Sequence, residues 1–160
     1  MTSRKTADVI ATLFFALSFF SFGEAVFEGH VNYPAWLRIS DQSFAPYHQA
    51  VSARIGFLIV PLVLTTVLNV LLIWWRPPSI PLWAVWSTLA LQILMWLSTV
   101  LIQIPIQMQL SSGGYSSDLL RRLIWTDLLY RKVPGYIRLA ITGWMLYCAV
   151  KAAPVDASSG

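Results

Sequence analysis

The stretch from Glu24 to Arg54, EAVFEGHVNYPAWLRISDQSFAPYHQAVSAR, decides how the chain reads. It holds both histidines, His30 and His48, together with the acids Glu24 and Glu28, and an apolar run adjoins it on each side. Crossing a hydrocarbon core of ~30 Å takes ~20 apolar residues in a helix. Upstream, Val9 to Gly23 carries no charge, and the helical pattern continues to Phe27. Downstream, Ile55 to Trp75 carries none either. The polar stretch therefore lies at one membrane face, between a first and a second span.

The remaining chain repeats that arrangement. Arg4 and Lys5 before a short apolar run look like a secretory signal, but no small-x-small site comes after it, so the first span is expected to stay in the protein. Arg76-Pro77-Pro78-Ser79-Ile80-Pro81 cannot continue a helix and returns the chain at once into a third span, Leu82 to Gln107. Ser111-Ser112-Gly113-Gly114 ends it, and Ser116 or Ser117 caps the next helix. Asp118 to Lys132 is amphipathic, and Val133 to Val150 is the fourth span. One rod from 118 to 150 would be ~50 Å long, so a kink or break is expected at Pro134-Gly135.

The fold class expected is all-α, an integral membrane antiparallel four-helix bundle forming one domain over 1–151. Its spans are about 7–27, 50–75, 82–107 and 133–150, and 152–160 is a polar tail. Pro34 biases Tyr33 towards extended backbone, so Gly29 to Gln42 reads as an interfacial connection. Tyr33 and Trp36 face headgroups there, with a short helix over Ala35 to Ser40. Asp41 or Ser43 caps the next helix and Pro46 sits in its first turn.

Composition narrows the function classes. The chain is 57% hydrophobic and 11% charged, against ~25% charged in a soluble domain. The 11 basic residues outnumber the 7 acidic ones but form no run interleaved with aromatics, which excludes a nucleic-acid groove. The single cysteine, Cys148, can make neither an internal disulfide nor a CxxC motif.

Polar residues fall in stripes at helical spacing. Glu24 and Glu28 share a face of the first helix, and His48 and Ser52 share one of the second. Thr88, Gln92, Thr99, Gln103 and Gln107 line the third, and Asp127, Arg131, Arg138 and Thr142 the fourth. Lipid tails cannot satisfy such groups, so the stripes face one another. A structural account pairs Glu24 and Glu28 with Arg54 and Arg138 and Asp127 with Arg131, and lets the glutamines tie helices together. A functional account makes the cluster a site, with His48, Asp127, Arg131, Glu28 and Gln107 as catalytic candidates for proton abstraction and relay. Glu24, Glu28, His48 and Asp127 are also the candidate ligands of a metal ion. No helix carries the Glu-x-x-His of a di-iron bundle, and His48 has no second histidine in a span, which argues against haem.

Tyr33-Pro34-x-Trp36, Tyr47-His48, Ile104-Pro105-x-Gln107 and Asp127-x-x-x-Arg131 occur within four spans of about 150 residues. In this the chain resembles small bacterial membrane proteins grouped as anthrone-oxygenase-like. The resemblance covers most of the chain and implies a four-span bundle; most of the group has no assigned activity, and its named members resemble oxygenases of aromatic polyketides. The chain departs from that pattern at Tyr130-Arg131-Lys132-Val133-Pro134, where the group more usually has a Trp-x-Arg-Thr type sequence.

Two functions of different class are expected. One is an oxidoreductase-like membrane enzyme for a lipophilic small molecule, whose cavity would be lined by His48, Gln107, Asp127 and Arg131. The other is a non-catalytic subunit packed, as a homo-oligomer or with a partner subunit, against other spans or pigments. The lipid bilayer is the common partner, in a bacterial-type inner membrane. Loop-side Lys and Arg outnumber those on the terminal side by seven to four. Excluding Arg54, Arg131 and Arg138 as bundle residues makes the sides equal, and Arg4 and Lys5 ahead of the first helix then favour cytoplasmic termini.

Overall fold

The computed structural model describes residues 2–152, and every regular element among them is helical. Five helices make up the regular structure of the described residues: α1 (Arg4–Trp36), α2 (Asp41–Ser52), α3 (Gly56–Leu71), α4 (Leu82–Gly113) and α5 (Ser117–Lys151). By length and composition α1, α4 and α5 can each cross a membrane, and α2 with α3 makes a fourth candidate if that bent pair is one span. Beyond Ala152 the expected polar tail lies outside the described residues.

Local signals place several boundaries as expected. Arg76 Nε donates to the Ile80 carbonyl at 3.0 Å and closes the proline-rich turn over the buried Ile80. Gly114 ends α4 at φ +78°, a conformation open to glycine at no steric cost. The Ser116 side chain accepts from the Leu119 N–H at 3.3 Å and caps α5.

Four expectations are corrected. The segment 29–36 is no connection: α1 runs through it, and Tyr33 and Trp36 are 4% and 2% exposed, packed in the core instead of facing headgroups. A short helix over 35–40 is therefore absent, because helix ends at Trp36 and a turn comes next. The second span is not one rod over 50–75. The helix breaks between Ser52 and Gly56 with a 42° bend, and Pro46 lies inside α2, which begins at Asp41 after an extended Ser40. Finally, of the kink or break expected at Pro134-Gly135 the break is absent: α5 stays helical from Ser117 to Lys151.

Around the molecule α3 packs against α1 and α4, and α5 packs against α4 and α1. The core is split. One apolar cluster, with Phe14, Leu72, Ile80, Val85 and Met145, joins the ends nearest the chain termini. A second, with Tyr33, Trp36, Phe44, Ile106, Leu110 and Leu123, fills the opposite end beneath α2. Between them lies a belt of buried polar residues that includes Ser18, Gln92, Gln103, Asp127, Lys132, Arg138 and Thr142.

Candidate functional site

Three prolines shape the site. In α1, α4 and α5 the turn ahead of Pro34, Pro105 and Pro134 widens into a π turn, at Glu28–Asn32, Thr99–Gln103 and Leu128–Lys132. Each time the residue before the proline, Tyr33, Ile104 or Val133, donates its N–H to the carbonyl five residues back. A proline has no N–H, and its ring collides with the carbonyl four residues back in a regular helix. The wider turn relieves that collision without breaking the rod, which is why α5 continues through Pro134.

The widened turn decides who meets Asp127. In a regular helix, residue i+5 points ~140° away from residue i. Across the Leu128–Lys132 π turn, both the i+4 and i+5 residues reach the same carboxylate. Arg131 Nη1 lies 3.1 Å from Asp127 Oδ1, and Lys132 Nζ lies 3.0 Å from Oδ2. Lys132 and Asp127 are 4% and 2% exposed, and the ammonium also donates to the Ala25 carbonyl of α1. Gly29 makes this contact possible, since a β-carbon there would collide with Lys132 Nζ and Asp127 Oδ2. Glu28 shares the electrostatic environment of Asp127, Arg131 and Lys132 and accepts from Asn32 Nδ2 at 2.8 Å.

His48 belongs to a second group. It is fully buried, 2.6 Å through Nε2 from Gln107 Oε1 and 3.2 Å through Nδ1 from Ser111 Oγ. An Nε2–H that donates to Gln107 and an Nδ1 that accepts from the Ser111 hydroxyl satisfy both nitrogens of a neutral ring. Phe44 stacks on that ring at 5.5 Å, and Trp36 meets it edge-on at 5.1 Å. Asn32 joins the two groups: its Oδ1 accepts from Trp36 Nε1 at 3.1 Å and from the Tyr47 hydroxyl at 3.4 Å.

A cavity is lined by neither His48 nor Asp127. A space of about 60 Å³ opens between α1, α3, α4 and α5, lined among others by Ser21, Gln92, Arg131, Lys132 and Arg138. Phe22, Val26, Leu62, Met95 and Trp96 supply its apolar wall. Both amide atoms of Gln92, the Ser21 hydroxyl and Arg138 Nε are buried without a hydrogen-bond partner in the protein. Arg138 Nη2 donates to Ser18 Oγ at 3.3 Å, and the guanidinium carbon lies 5.7 Å from the centre of the Phe14 ring.

The candidates named from sequence thus separate into His48 with Gln107 and Asp127 with Arg131 and Glu28. Of the four residues expected to line a cavity, Arg131 alone lines this one; His48 is held by Gln107 and Asp127 by Arg131 and Lys132, away from its lining. The metal set Glu24, Glu28, His48 and Asp127 is not gathered. Among the described residues no three His, Cys, Asp or Glu side chains stand where they could share an ion, and Asp127 is held by two cations. The expected pairs of Glu24 and Glu28 with Arg54 and Arg138 are replaced: Arg54 Nη1 turns back to the Ala50 carbonyl at 2.9 Å, and Arg138 turns to Ser18. Glu24 stays half-buried outside both groups.

Sequence reasoning leaves out Lys132, Asn32, Ser111 and Gly29. The 3.6-residue period places Lys132 on the wrong face, and the X-Pro step after Val133 is the available signal. Gln92 and Arg138 stand in the stripes without being singled out there. Residues of the four short motifs meet in one chain of contacts, which runs from Gln107 through His48, Trp36 and Tyr33 to Arg131 and Asp127. Comparison with protein-family models, with curated proteins and with solved structures finds no match.

Proposed function

We propose that the chain is a multi-pass protein of a bacterial inner membrane, an antiparallel four-helix bundle with cytoplasmic termini, that binds a lipophilic small molecule in the cavity between α1, α3, α4 and α5. The observation that carries this reading is that Ser21, Gln92 and Arg138, whose side chains hold buried polar atoms without a protein partner, line the same cavity as Phe22, Val26, Leu62 and Trp96. A buried donor or acceptor left unpaired costs ~1–3 kcal/mol, so four such atoms on residues of one cavity are held against a stability gradient. A bound molecule with a polar end and an apolar body satisfies both halves of the wall.

Helix lengths support the membrane reading. α1, α4 and α5 have 33, 32 and 35 residues. At 1.5 Å per residue that is ~50 Å, some 20 Å beyond the hydrocarbon thickness. Measured from Arg4, Leu82 and Lys151, the first ~30 Å ends near the three π turns. In this arrangement the Asp127 cluster lies at headgroup depth, and the His48 group sits in a head that projects past the bilayer. By the same rise per residue, Arg138 and Gln92 lie ~15–20 Å from the terminal ends, well inside the hydrocarbon layer. Large apolar side chains on the outer face of α3, including Phe57, Val60, Val63 and Val67, suit acyl chains.

Binding stands ahead of oxidoreductase turnover because the relay candidates His48 and Gln107 do not reach the cavity. The reading is tested by mass analysis of lipophilic compounds released from protein purified in mild detergent. A compound near one per chain, lost in Gln92→Leu, is expected. Recovery of the chain from the soluble fraction, or of no compound above the level of an unrelated membrane protein, overturns it.

A further inference from the structure

The cavity wall carries an unbalanced charge. Three cations line it, Arg131, Lys132 and Arg138. Asp127 pairs with the first two, and Glu28 stands in the same cluster. Arg138 is different: it is 6% exposed, and among the described residues no carboxylate lies within ion-pair distance of it. Its contacts are one hydroxyl, Ser18, and one ring face, Phe14. A buried charge without a counter-charge is among the most costly arrangements a helix in lipid can hold. Water in a space of this size can satisfy the amide of Gln92, but it cannot cancel the guanidinium.

The free donors are of one kind. Arg138 Nε, Gln92 Nε2 and Ser21 Oγ are all buried without a protein partner and all belong to residues of the same cavity. N–H and O–H donors backed by an unneutralised guanidinium match an oxyanion, which accepts at each oxygen and carries the missing charge. The space of about 60 Å³ is enough for a carboxylate. An attached chain continues along Phe22, Val26, Leu62, Met95 and Trp96.

We propose that the cavity binds the mono-anionic oxyacid group of an acyl-chain amphiphile, with Arg138 as counter-charge and Gln92 and Ser21 as hydrogen-bond donors. This rests on the lipophile-binding reading above and adds the charge.

Native mass spectrometry of the full chain released from mild detergent tests it, with oleate, oleyl alcohol and dioleoylphosphatidylglycerol as probes. Wild-type protein is expected to hold oleate at least about tenfold more tightly than oleyl alcohol, a difference of ~1.4 kcal/mol. Arg138→Met is expected to abolish that preference, Arg138→Lys to keep part of it, and Gln92→Leu to weaken oleate about fivefold. Displacement of oleate by phosphatidylglycerol assigns the oxyacid to membrane lipid, and its failure to displace assigns it to a free acid; both uphold the anion. Equal binding of oleate and oleyl alcohol overturns the charge inference and leaves lipophile binding standing. Failure of the wild-type protein to hold oleate or oleyl alcohol at all overturns both readings. The wild-type comparison needs no variant, so it decides even if Arg138→Met does not fold, and a preference that survives in a folded Arg138→Met overturns the proposal.

Discussion

The ammonium of Lys132 occupies the volume in which a β-carbon on Gly29 would sit, so that two π turns on different helices meet through the one residue of the α1 π turn that offers no side chain. The contact fixes the depth of α5 against α1, because the same ammonium is held by Asp127 and by the Ala25 carbonyl.

Gly29→Ala should therefore destabilise the protein by about 1–3 kcal/mol, the usual cost of overpacking, read as a lower midpoint in thermal unfolding in detergent. Gly29→Ala combined with Lys132→Ala should recover part of that loss, since the collision disappears with the ammonium. Strict additivity of the two single changes would show that the residues do not touch.

Asp127→Asn strips the counter-charge from two cations, one of them 4% exposed. A loss of about 3–5 kcal/mol is expected, as for one half of a buried ion pair. Asp127→Asn with Lys132→Met should be milder than Asp127→Asn alone. If the double variant were the less stable of the two, the pair would not be the reason for the loss.

His48→Ala removes two hydrogen bonds and a ring held between Phe44 and Trp36. About 2–4 kcal/mol of stability should be lost. Binding of a lipophile by the folded fraction should change less than about threefold, because His48 does not line the cavity. A large loss of affinity at unchanged stability would return His48 to the binding site.

Gln92→Leu and Arg138→Met should behave in the opposite way. Both replace buried side chains that hold unpartnered polar atoms, and in Arg138 a charge without a counter-charge, with apolar groups of similar size, which is neutral or stabilising by about 1–4 kcal/mol when no ligand is bound. Unfolding of ligand-stripped protein should show raised or equal midpoints together with weaker binding. A scaffold role for either residue would appear as a lowered midpoint.

Orientation can be read with cysteines placed in a Cys148→Ala background. Ser112→Cys, near the end of α4, should react with an impermeant maleimide in intact cells, and Ser79→Cys, in the turn before α4, only after permeabilisation. The reverse pattern would invert the proposed orientation.

Much of the helical framework is legible in the amino-acid order because it rests on local chemistry. Long uncharged runs, the prolines from Pro77 to Pro81, the glycine pair before Tyr115 and the capping Ser116 act over a few positions and need no partner. The stripe on α4 is legible too: Thr88, Gln92 and Gln103 are buried, as their spacing implies. The 42° bend before α3 is not, since no proline or glycine run marks residues 53–55. Residue type alone reads Tyr33 and Trp36 as headgroup aromatics, whereas packing against Phe44 and Ile106 buries them.

The sequence by itself determined most of the helical segments and which side chains need shelter from an apolar surrounding, because both depend on each residue's own chemistry. Only the tertiary structure decided who shelters whom. Each proline could have broken its rod or widened it by one residue, and that choice depends on whether neighbouring helices hold the rod in place. Once widened, the turn moves Lys132 onto Asp127 and leaves Arg138 facing a cavity beside Gln92, a result of side-chain register that no fixed period contains.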